Sequence, residues 1–371
     1  MQLKKGNYDE IAGDIKSNNK KIIVYGAGMI GTILVPYLVE KYNLYTNLIC
    51  YLDGDKRKQG EKIIIGDCSY EIKSPRLLGG LSQNTVILIT NSNYHPIVDL
   101  LDGIDEIKDN EAYIIPILQV LNTHEKKEKI GLHKCEKQLI PKKIHYCWFS
   151  GNPLPEYLIR CIESWKKICP DYEIIRWDES NYDIEKSTYM KQAYQEKKWG
   201  FVPDVARLDI LYNEGGIYLD TDVELIRNLD DLLYQEAFSG VEKWGNVNMG
   251  GCSGSVPHNP IIKDLLEFRR NELFVLKDGS LNQTTCGYYE TKPLILKGMK
   301  PDNTIQEIEN LTIYSSDFFH PYDYMSGETH VTENTFSIHH FNGGWLDKKS
   351  AAEREKTVSQ YYQILKRMES D

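Results

Sequence analysis

Two carboxylates separated by one residue, Asp220 and Asp222, directly follow an apolar strand pattern at residues 217–219. Alternation along an extended chain places both side chains on one side, with Thr221 opposite. Two carboxylates form part of the oxygen shell that Mg²⁺ or Mn²⁺ prefers, and diphosphate oxygens and water can complete it. Such a metal neutralises charge as a nucleoside diphosphate departs. The pair is therefore a candidate metal site.

A second charged pair precedes these carboxylates on a predicted helix that begins at Pro203. Asp204 and Arg207 lie three residues apart, so their side chains face the same way. The strand at 217–219 delivers its carboxylates at its carboxyl end, where open α/β sheets bind ligands. We therefore expect both charged pairs to contribute to one site.

Aromatic and imidazole residues at two distant places complete the pattern. Trp148 ends a predicted strand before a glycine turn, and His339, His340 and Trp345 lie close together near the C-terminus. The two histidines alternate on a strand, so only one of them can face the site. Either tryptophan could instead be a plain core aromatic, which is the usual environment of this residue.

With these motifs, the segment from about 140 to 350 resembles the Asp-x-Asp sugar transferases, which include bacterial capsular-polysaccharide enzymes and yeast initiating-mannosyltransferase homologues. It is more distantly similar to the glucosyltransferase domains of large clostridial toxins. The resemblance implies a GT-A fold, a nucleotide-sugar donor with a UDP-hexose favoured, Mn²⁺ or Mg²⁺, and transfer with retention at the anomeric carbon. It further implies a glycan or lipid-linked saccharide acceptor and a role in surface or capsular polysaccharide synthesis.

The resemblance assigns donor-binding roles to five residues. Cys147 and Trp148 would line the pocket for the nucleobase, with the indole as a stacking surface. Asp204 and Arg207 would bind hydroxyl groups of the donor sugar and position it for transfer. Tyr218 would contact the nucleotide.

The resemblance also implies how the metal is held. Asp222 would ligate it directly, and Asp220 would contact it through water while binding the ribose. His340 matches the last metal ligand, five residues before Trp345, which would also line the donor site. Asn248 fits a loop that binds donor or acceptor, although its glycine neighbours fit an ordinary turn equally well.

A separate glycine motif lies near the N-terminus. Gly26, Gly28 and Gly31 follow one strand pattern and open a helix, and Asp53 ends the next strand, where a ribose-binding acid would lie. The motif indicates a phosphate-bearing ligand at the helix N-terminus. A Rossmann-like turn without a ligand would need the same small residues, and Pro36 would kink the helix.

Strand and helix patterns alternate in both sections of the chain, which predicts an α/β fold with parallel sheets. We predict an N-terminal Rossmann-like parallel-sheet domain with a linker over residues 1–135. A GT-A glycosyltransferase domain follows over residues 136–371.

The composition limits partners and location. The formal net charge of -10 argues against nucleic-acid binding, and the eight cysteines lack zinc-type spacing and are interpreted as free thiols. No signal peptide or membrane span is predicted, so we expect a cytoplasmic protein. A lipid-linked acceptor would bring it peripherally to the inner face of the membrane.

Three other interpretations remain open at this stage. Asp220 and Asp222 after an apolar strand match the nucleophile and acid of a haloacid-dehalogenase-type phosphatase, although the surrounding motifs do not. A nucleotide-sugar-binding protein without turnover would keep the same site. An oxidoreductase built on the N-terminal domain would bind NAD.

Overall fold

The protein is described from a computed structural model, which covers residues 1–122, 131–341 and 348–370. The chain forms two compact units. One comprises Met1–His124 together with Lys356–Asp371, and the other comprises Glu125–Glu355. Each unit is built around its own sheet, so that the predicted α/β class is confirmed for both.

The first unit contains a seven-stranded sheet in the order β1-β7-β6-β2-β3-β5-β4. All neighbouring pairs are parallel except the edge pair β4 and β5. The central strands are almost continuously apolar and buried, because helices cover a parallel sheet on both faces. The strands are β1 (Gln2–Leu3), β2 (Lys21–Tyr25), β3 (Leu48–Leu52), β4 (Lys62–Ile65), β5 (Cys68–Lys73), β6 (Thr85–Ile89) and β7 (Glu111–Ile114).

Four helices alternate with these strands, as the Rossmann-like prediction requires: α1 (Tyr8–Ser17), α2 (Met29–Lys41), α3 (His95–Asp102) and α4 (Ile115–Leu121). The glycine motif lies where β2 passes into α2, and Gly28 caps the helix. A Cβ on Gly31 would overlap the carbonyl oxygen of Gly26, so the helix can approach the strand this closely only with glycine there. This packing requirement exists whether or not a ligand binds.

The second unit contains a mixed sheet in the order β15-β16-β12-β14-β10-β8-β9, with β13 paired to β12, and a separate two-stranded sheet of β11 and β17. Strands β9, β8 and β10 are parallel, and β14 runs antiparallel to both of its neighbours. The strands are β8 (Lys143–Cys147), β9 (Glu173–Trp177), β10 (Gly216–Tyr218), β11 (Val223–Leu225), β12 (Ala237–Val241), β13 (Val247–Asn248), β14 (Ser253–Ser255), β15 (Gln306–Ile308), β16 (Leu311–Tyr314) and β17 (Ser337–His339).

Over residues 131–341 of this unit, six α-helices accompany these sheets: α5 (Glu156–Ile168), α6 (Thr188–Gln195), α7 (Pro203–Glu214), α8 (Pro260–Arg269), α9 (Cys286–Leu296) and α10 (Ser316–Phe319). Helix α7 begins at Pro203, as predicted, and ends at Glu214 with Gly215 as its C-cap. Helix α5 buries an apolar stripe that includes Trp165, whose indole N–H donates to the carbonyl of Val223 at 2.7 Å. This bond attaches α5 to the start of β11, directly after the Asp-x-Asp segment.

The C-terminal helix is α11 (Lys348–Ser370), and the predicted domain division assigned residues 356–371 to the second domain. Its last turns belong to the first unit. The guanidinium of Arg367 pairs with Asp102, with one Nη2–Oδ1 distance of 2.7 Å, and also donates to the carbonyl of Met1. Within the described ranges, no helix is both long and apolar enough to span a bilayer.

Candidate functional site

The carboxyl ends of β8 and β10 open into a cavity of about 490 Å³ in the second unit. Its lining brings together residues that lie far apart in sequence. They form two groups: aromatic and proline side chains, and a wall of charged side chains. The predicted site residues that line it are Cys147, Trp148, Asp204, Arg207, Asp220, Asp222 and Asn248.

Arg207 is the centre of the charged wall. Its Nη2 lies 3.0 Å from Asp204 Oδ1 and 3.4 Å from both carboxylate oxygens of Asp220. Only 3% of the Arg207 side chain is exposed. Helix α7 supplies the first pair at i and i+3, and the loop after β10 supplies the second carboxylate. One buried guanidinium therefore joins the two predicted charged pairs.

Two further charged residues, absent from the sequence-based prediction, complete this network. Glu290 on α9 lies 3.5 Å from Arg207 Nη1, and Arg269 at the end of α8 lies 3.3 Å from Asp204 Oδ2. Both are fully buried. The guanidinium carbon of Arg269 lies 4.5 Å and 4.4 Å from the ring centroids of Tyr189 and Tyr289, so two aromatic rings flank the charge.

The electrostatics of the network follow from burial and pairing. Burial raises the pKa of Asp204, while Arg269 and Arg207 oppose this rise. Burial by itself would lower the pKa of Arg207, but the charges of Asp220 and Asp204 outweigh it and raise that pKa. Burial raises the pKa of Glu290 to about 7, against the opposing effect of Arg207. Arg207 is consequently a permanent cation held in place beside the cavity.

The loop after β13 also positions Asp220, through a hydrogen bond with its backbone. The backbone N–H of Asp220 donates to the carbonyl of Gly250 at 2.7 Å, and the Gly250 N–H donates to the side-chain oxygen of Asn248 at 2.8 Å. A Cβ on Gly250 would overlap the carboxylate of Asp220. The side-chain amide of Asn248 also donates to Glu242 at 2.6 Å. Asn248 therefore both lines the cavity and holds this loop in shape.

The two histidines point in opposite directions, with His339 as the last residue of β17 and His340 directly after it. It is His339, and not the predicted His340, that lies at the cavity. His339 pairs in register with Val223, and its Nε2 lies 3.3 Å from Asp222 Oδ1 inside the cavity. His340 Nε2 instead lies 3.0 Å from Glu224 Oε2. Strand alternation explains the difference, because the register of β17 on β11 turns His339 toward the carboxylates. Burial would lower the pKa of His339, but Asp222 raises it.

The side chains at this wall provide some, but not all, of the ligands that a hard divalent cation needs. Asp220 and Asp222 provide carboxylate oxygens to one cavity, and His339 provides an imidazole beside them. No three His, Cys, Asp or Glu side chains within the described residues already form a metal-binding group. The residues present therefore fit a cation whose remaining ligands come from a diphosphate and water. Trp345 and the rest of residues 342–347 lie outside the described residues.

Tyr218 does not reach the cavity. Its side chain is completely buried, and its ring centroid lies 5.5 Å from the guanidinium carbon of Arg207. The predicted contact of Tyr218 with a nucleotide is not made in this structure: the Tyr218 ring packs against Arg207, and Arg207 rather than Tyr218 lines the cavity. Trp148 is half-buried at the cavity, and its indole N–H donates to the carbonyl of Asn152 at 2.7 Å. Burial raises the pKa of the Cys147 thiol to about 12.

The N-terminal glycine motif forms a separate group in the first unit. The carboxylate of Asp53 accepts the backbone N–H of Ala27 at 2.9 Å and lies 3.2 Å from Lys58 Nζ. Lys58 also donates to the carbonyl of Ala27 at 3.1 Å. The acid predicted to bind a ribose is thus engaged with the loop that carries Gly26 and Gly28, and these contacts stabilise the turn itself.

Part of the chain matches known proteins in sequence. Residues 155–239 match the family described as a glycosyltransferase sugar-binding region containing a DXD motif, and this range includes Asp204, Arg207, Asp220 and Asp222. The chain is 33% identical over 153 residues to inositol phosphoceramide mannosyltransferase 3 of Schizosaccharomyces pombe, covering 38% of this chain and 42% of that protein. It is 33% identical over 146 residues to mannosyl phosphorylinositol ceramide synthase CSH1 of Saccharomyces cerevisiae, covering 36% and 37%.

The matches cover parts of the proteins concerned, and the chain spans about two-fifths of the length of these two relatives. Among solved structures, the PaToxG glycosyltransferase matches with 22% identity and a TM-score of 0.32 over 44% of this chain and 73% of that one. The predicted resemblance to Asp-x-Asp sugar transferases is confirmed for the segment that carries both charged pairs.

Proposed function

We propose that this chain is a metal-dependent glycosyltransferase that moves a hexose from a nucleoside-diphosphate sugar to a saccharide acceptor. The observation that carries the proposal is one cavity lined by Asp220, Asp222 and Arg207, in which the carboxylate of Asp220 lies 3.4 Å from the buried guanidinium of Arg207. Carboxylates suit a metal that binds a diphosphate, and a buried guanidinium suits sugar hydroxyls and phosphate oxygens. The sugar-transferase relatives support the same class of reaction.

Each part of the cavity has a distinct task in this proposal. The indole of Trp148 offers a surface for the nucleobase of a donor, with UDP-hexoses favoured. Asp204 and Arg207 hold the donor sugar in one orientation, and Glu290 and Arg269 prevent these two side chains from moving. A divalent cation, Mn²⁺ or Mg²⁺, would neutralise charge on the departing diphosphate.

For the metal, we propose Asp222 as a direct ligand and Asp220 as a contact through water. His339 replaces His340 as the imidazole of the site, since His339 lies beside Asp222 while His340 faces Glu224. The names of the relatives describe mannosyl transfer to inositol phosphoceramide. These names support a lipid-linked acceptor. We further propose a glycan as the alternative acceptor, a location at the cytoplasmic face of a membrane, retention at the anomeric carbon and a role in surface polysaccharide synthesis.

An aspartyl phosphatase is less compatible with the site. Enzymes of that kind need a lysine beside the nucleophilic aspartate. Among the described residues that line the cavity there is no lysine, and the carboxylate of Asp220 contacts Arg207.

Thermal-shift measurements test the proposal. The purified chain is heated with UDP-glucose, UDP-galactose or GDP-mannose, each with and without Mn²⁺. A ligand that binds the folded state raises the melting temperature with its concentration over its dissociation constant. We expect at least one nucleotide sugar to stabilise the chain only when Mn²⁺ is present. Equal melting temperatures under all conditions would contradict the proposal.

A further inference from the structure

A second, smaller cavity of about 20 Å³ borders the donor cavity. Phe341 lines both of them, so one aromatic side chain forms part of their common wall. The small cavity has room for about one hydroxyl or hydroxymethyl group rather than for a whole sugar. Like the donor cavity, it lies in the second unit. Its lining is rich in aromatic and acidic side chains and includes Glu242, Lys243, Trp244, Asp323 and Tyr324. We call the part formed by Trp244 and Tyr324 the rim.

The aromatic rim has the geometry of a surface for a ring-shaped ligand. The rings of Trp244 and Tyr324 meet edge to face, with centroids 5.4 Å apart and an interplanar angle of 73°. The ring of Tyr324 in turn lies 6.3 Å from that of Phe341. All three side chains are half-buried. Half-buried tryptophan and tyrosine offer an apolar face with a polar edge, which suits the C–H face and the hydroxyl groups of a pyranose.

Two connections tie this rim to the reacting end of the donor cavity. The ring of Phe341 stacks on that of His339 at 4.1 Å and 23°, and His339 contacts Asp222. The carboxylate of Glu242, on the small cavity, accepts a hydrogen bond from Asn248, on the donor cavity, at 2.6 Å. The rim is therefore connected to Asp222 through the contacts of Phe341 and His339.

The backbone conformation of Phe341 is one that a phenylalanine seldom adopts by itself, so contacts with its surroundings hold this wall in place. Its φ is 49°, in the left-handed region that bulky residues seldom adopt. Such a conformation persists only where surrounding contacts determine it, and it is common at ligand-binding sites. Asp323 is fixed as well, because its carboxylate accepts the Met325 N–H at 3.0 Å and the Ser326 hydroxyl at 2.8 Å.

From this arrangement, and on the basis of the function proposed above, we infer that the small cavity with its Trp244–Tyr324 rim is the acceptor subsite and binds a pyranose ring. The ring stacks on Trp244, and one of its exocyclic groups enters the small cavity beside Glu242. In the transfer step, an acceptor hydroxyl oxygen forms the bond to the anomeric carbon and the bond from that carbon to the diphosphate oxygen breaks. The hydroxyl proton passes to the departing diphosphate.

Saturation-transfer NMR on the full chain tests the subsite directly. The probes are the methyl α-glycosides of glucose, galactose and mannose, without nucleotide sugar. We expect ring-proton signals from at least one glycoside, lost in Trp244→Ala and largely kept in Trp244→Phe. Tyr234→Ala is the matched control, because Tyr234 is a half-buried aromatic of the same unit that stacks on His133, and it should keep the signals. Absence of signal with the wild-type chain, or equal signals in all variants, would overturn the subsite.

A product measurement separates this inference from the proposed function. With a nucleotide sugar, Mn²⁺ and the bound glycoside, products divide between glycoside transfer and donor hydrolysis. Trp244→Ala should lower the ratio of transfer to hydrolysis about tenfold, as expected for the loss of one aromatic contact. An unchanged ratio would contradict the acceptor role. Glycoside binding without any donor turnover would instead refute the glycosyltransferase function and leave only a saccharide-binding rim.

Discussion

The carboxylate of Glu290 lies 3.5 Å from the guanidinium of Arg207, and both side chains are withdrawn from solvent. Glu290 also accepts the backbone N–H of Met249 at 2.8 Å, next to the loop that holds Asp220. One residue of α9 thus supports both the cation and the carboxylate of the donor cavity. Its effect on stability and on pH dependence gives the first prediction.

We predict that the free energy of unfolding falls as pH rises through the pKa of Glu290, which burial raises to about 7. The folded state then binds more protons than the unfolded state between pH 4.5 and about 7, and stability decreases over that interval. Glu290→Gln removes this titration while keeping an acceptor for Met249. Urea denaturation at several pH values should show a smaller decrease for Glu290→Gln than for the wild type. Parallel curves would refute the prediction.

Two neighbouring arginines provide a matched pair for the buried network. Arg269 is 0% exposed and pairs with Asp204, whereas Arg270 is 66% exposed and pairs with Glu267. Arg269→Met should destabilise the chain by about 3–5 kcal/mol, because it leaves a buried carboxylate with one partner fewer. Arg270→Met should cost no more than about 1 kcal/mol. Chemical denaturation of both variants measures the two losses in the free energy of unfolding. Similar losses would contradict the proposed importance of the buried Arg269–Asp204 pair.

The two histidines should differ in their effect on the metal. His339 lies beside Asp222, so His339→Ala should raise the Mn²⁺ concentration needed for half-maximal donor turnover by about tenfold or more. His340 faces Glu224, so His340→Ala should change this Mn²⁺ concentration by less than about twofold. Mn²⁺ titrations of the two variants measure this. A larger effect of His340→Ala would show that β17 faces the other way when donor is bound.

Local patterns were sufficient for much of the site. Strand and helix periodicity placed Asp220 and Asp222 after β10, and Asp204 and Arg207 on one helix face, and the structure brings all four to one cavity. The resemblance of this segment to sugar transferases did not depend on tertiary structure. The α/β class of both units likewise follows from alternating patterns along the chain.

Tertiary packing decided the features that the sequence could not reveal. Glu290 and Arg269 reach the site from α9 and α8, and nothing in their local sequence distinguishes them from surface charges. The choice between His339 and His340 depends on the register between β17 and β11, which a short strand does not specify. The return of α11 to the first unit depends on long-range contacts such as that of Arg367 with Asp102.

The decisive experiment asks whether Asp222 holds the metal of a glycosyltransferase. It measures turnover, with Mn²⁺, of the nucleotide sugar that binds in the thermal-shift screen, and it compares Asp222→Asn with Glu224→Gln. The two carboxylates lie two residues apart, but only Asp222 lines the cavity. We expect Asp222→Asn to lower turnover by at least about a hundredfold, because stabilisation of charge by a metal is worth several kcal/mol. Glu224→Gln should stay within about twofold of the wild type. Full activity of Asp222→Asn, or equal losses in both variants, would contradict the claim that Asp222 holds the metal of a glycosyltransferase.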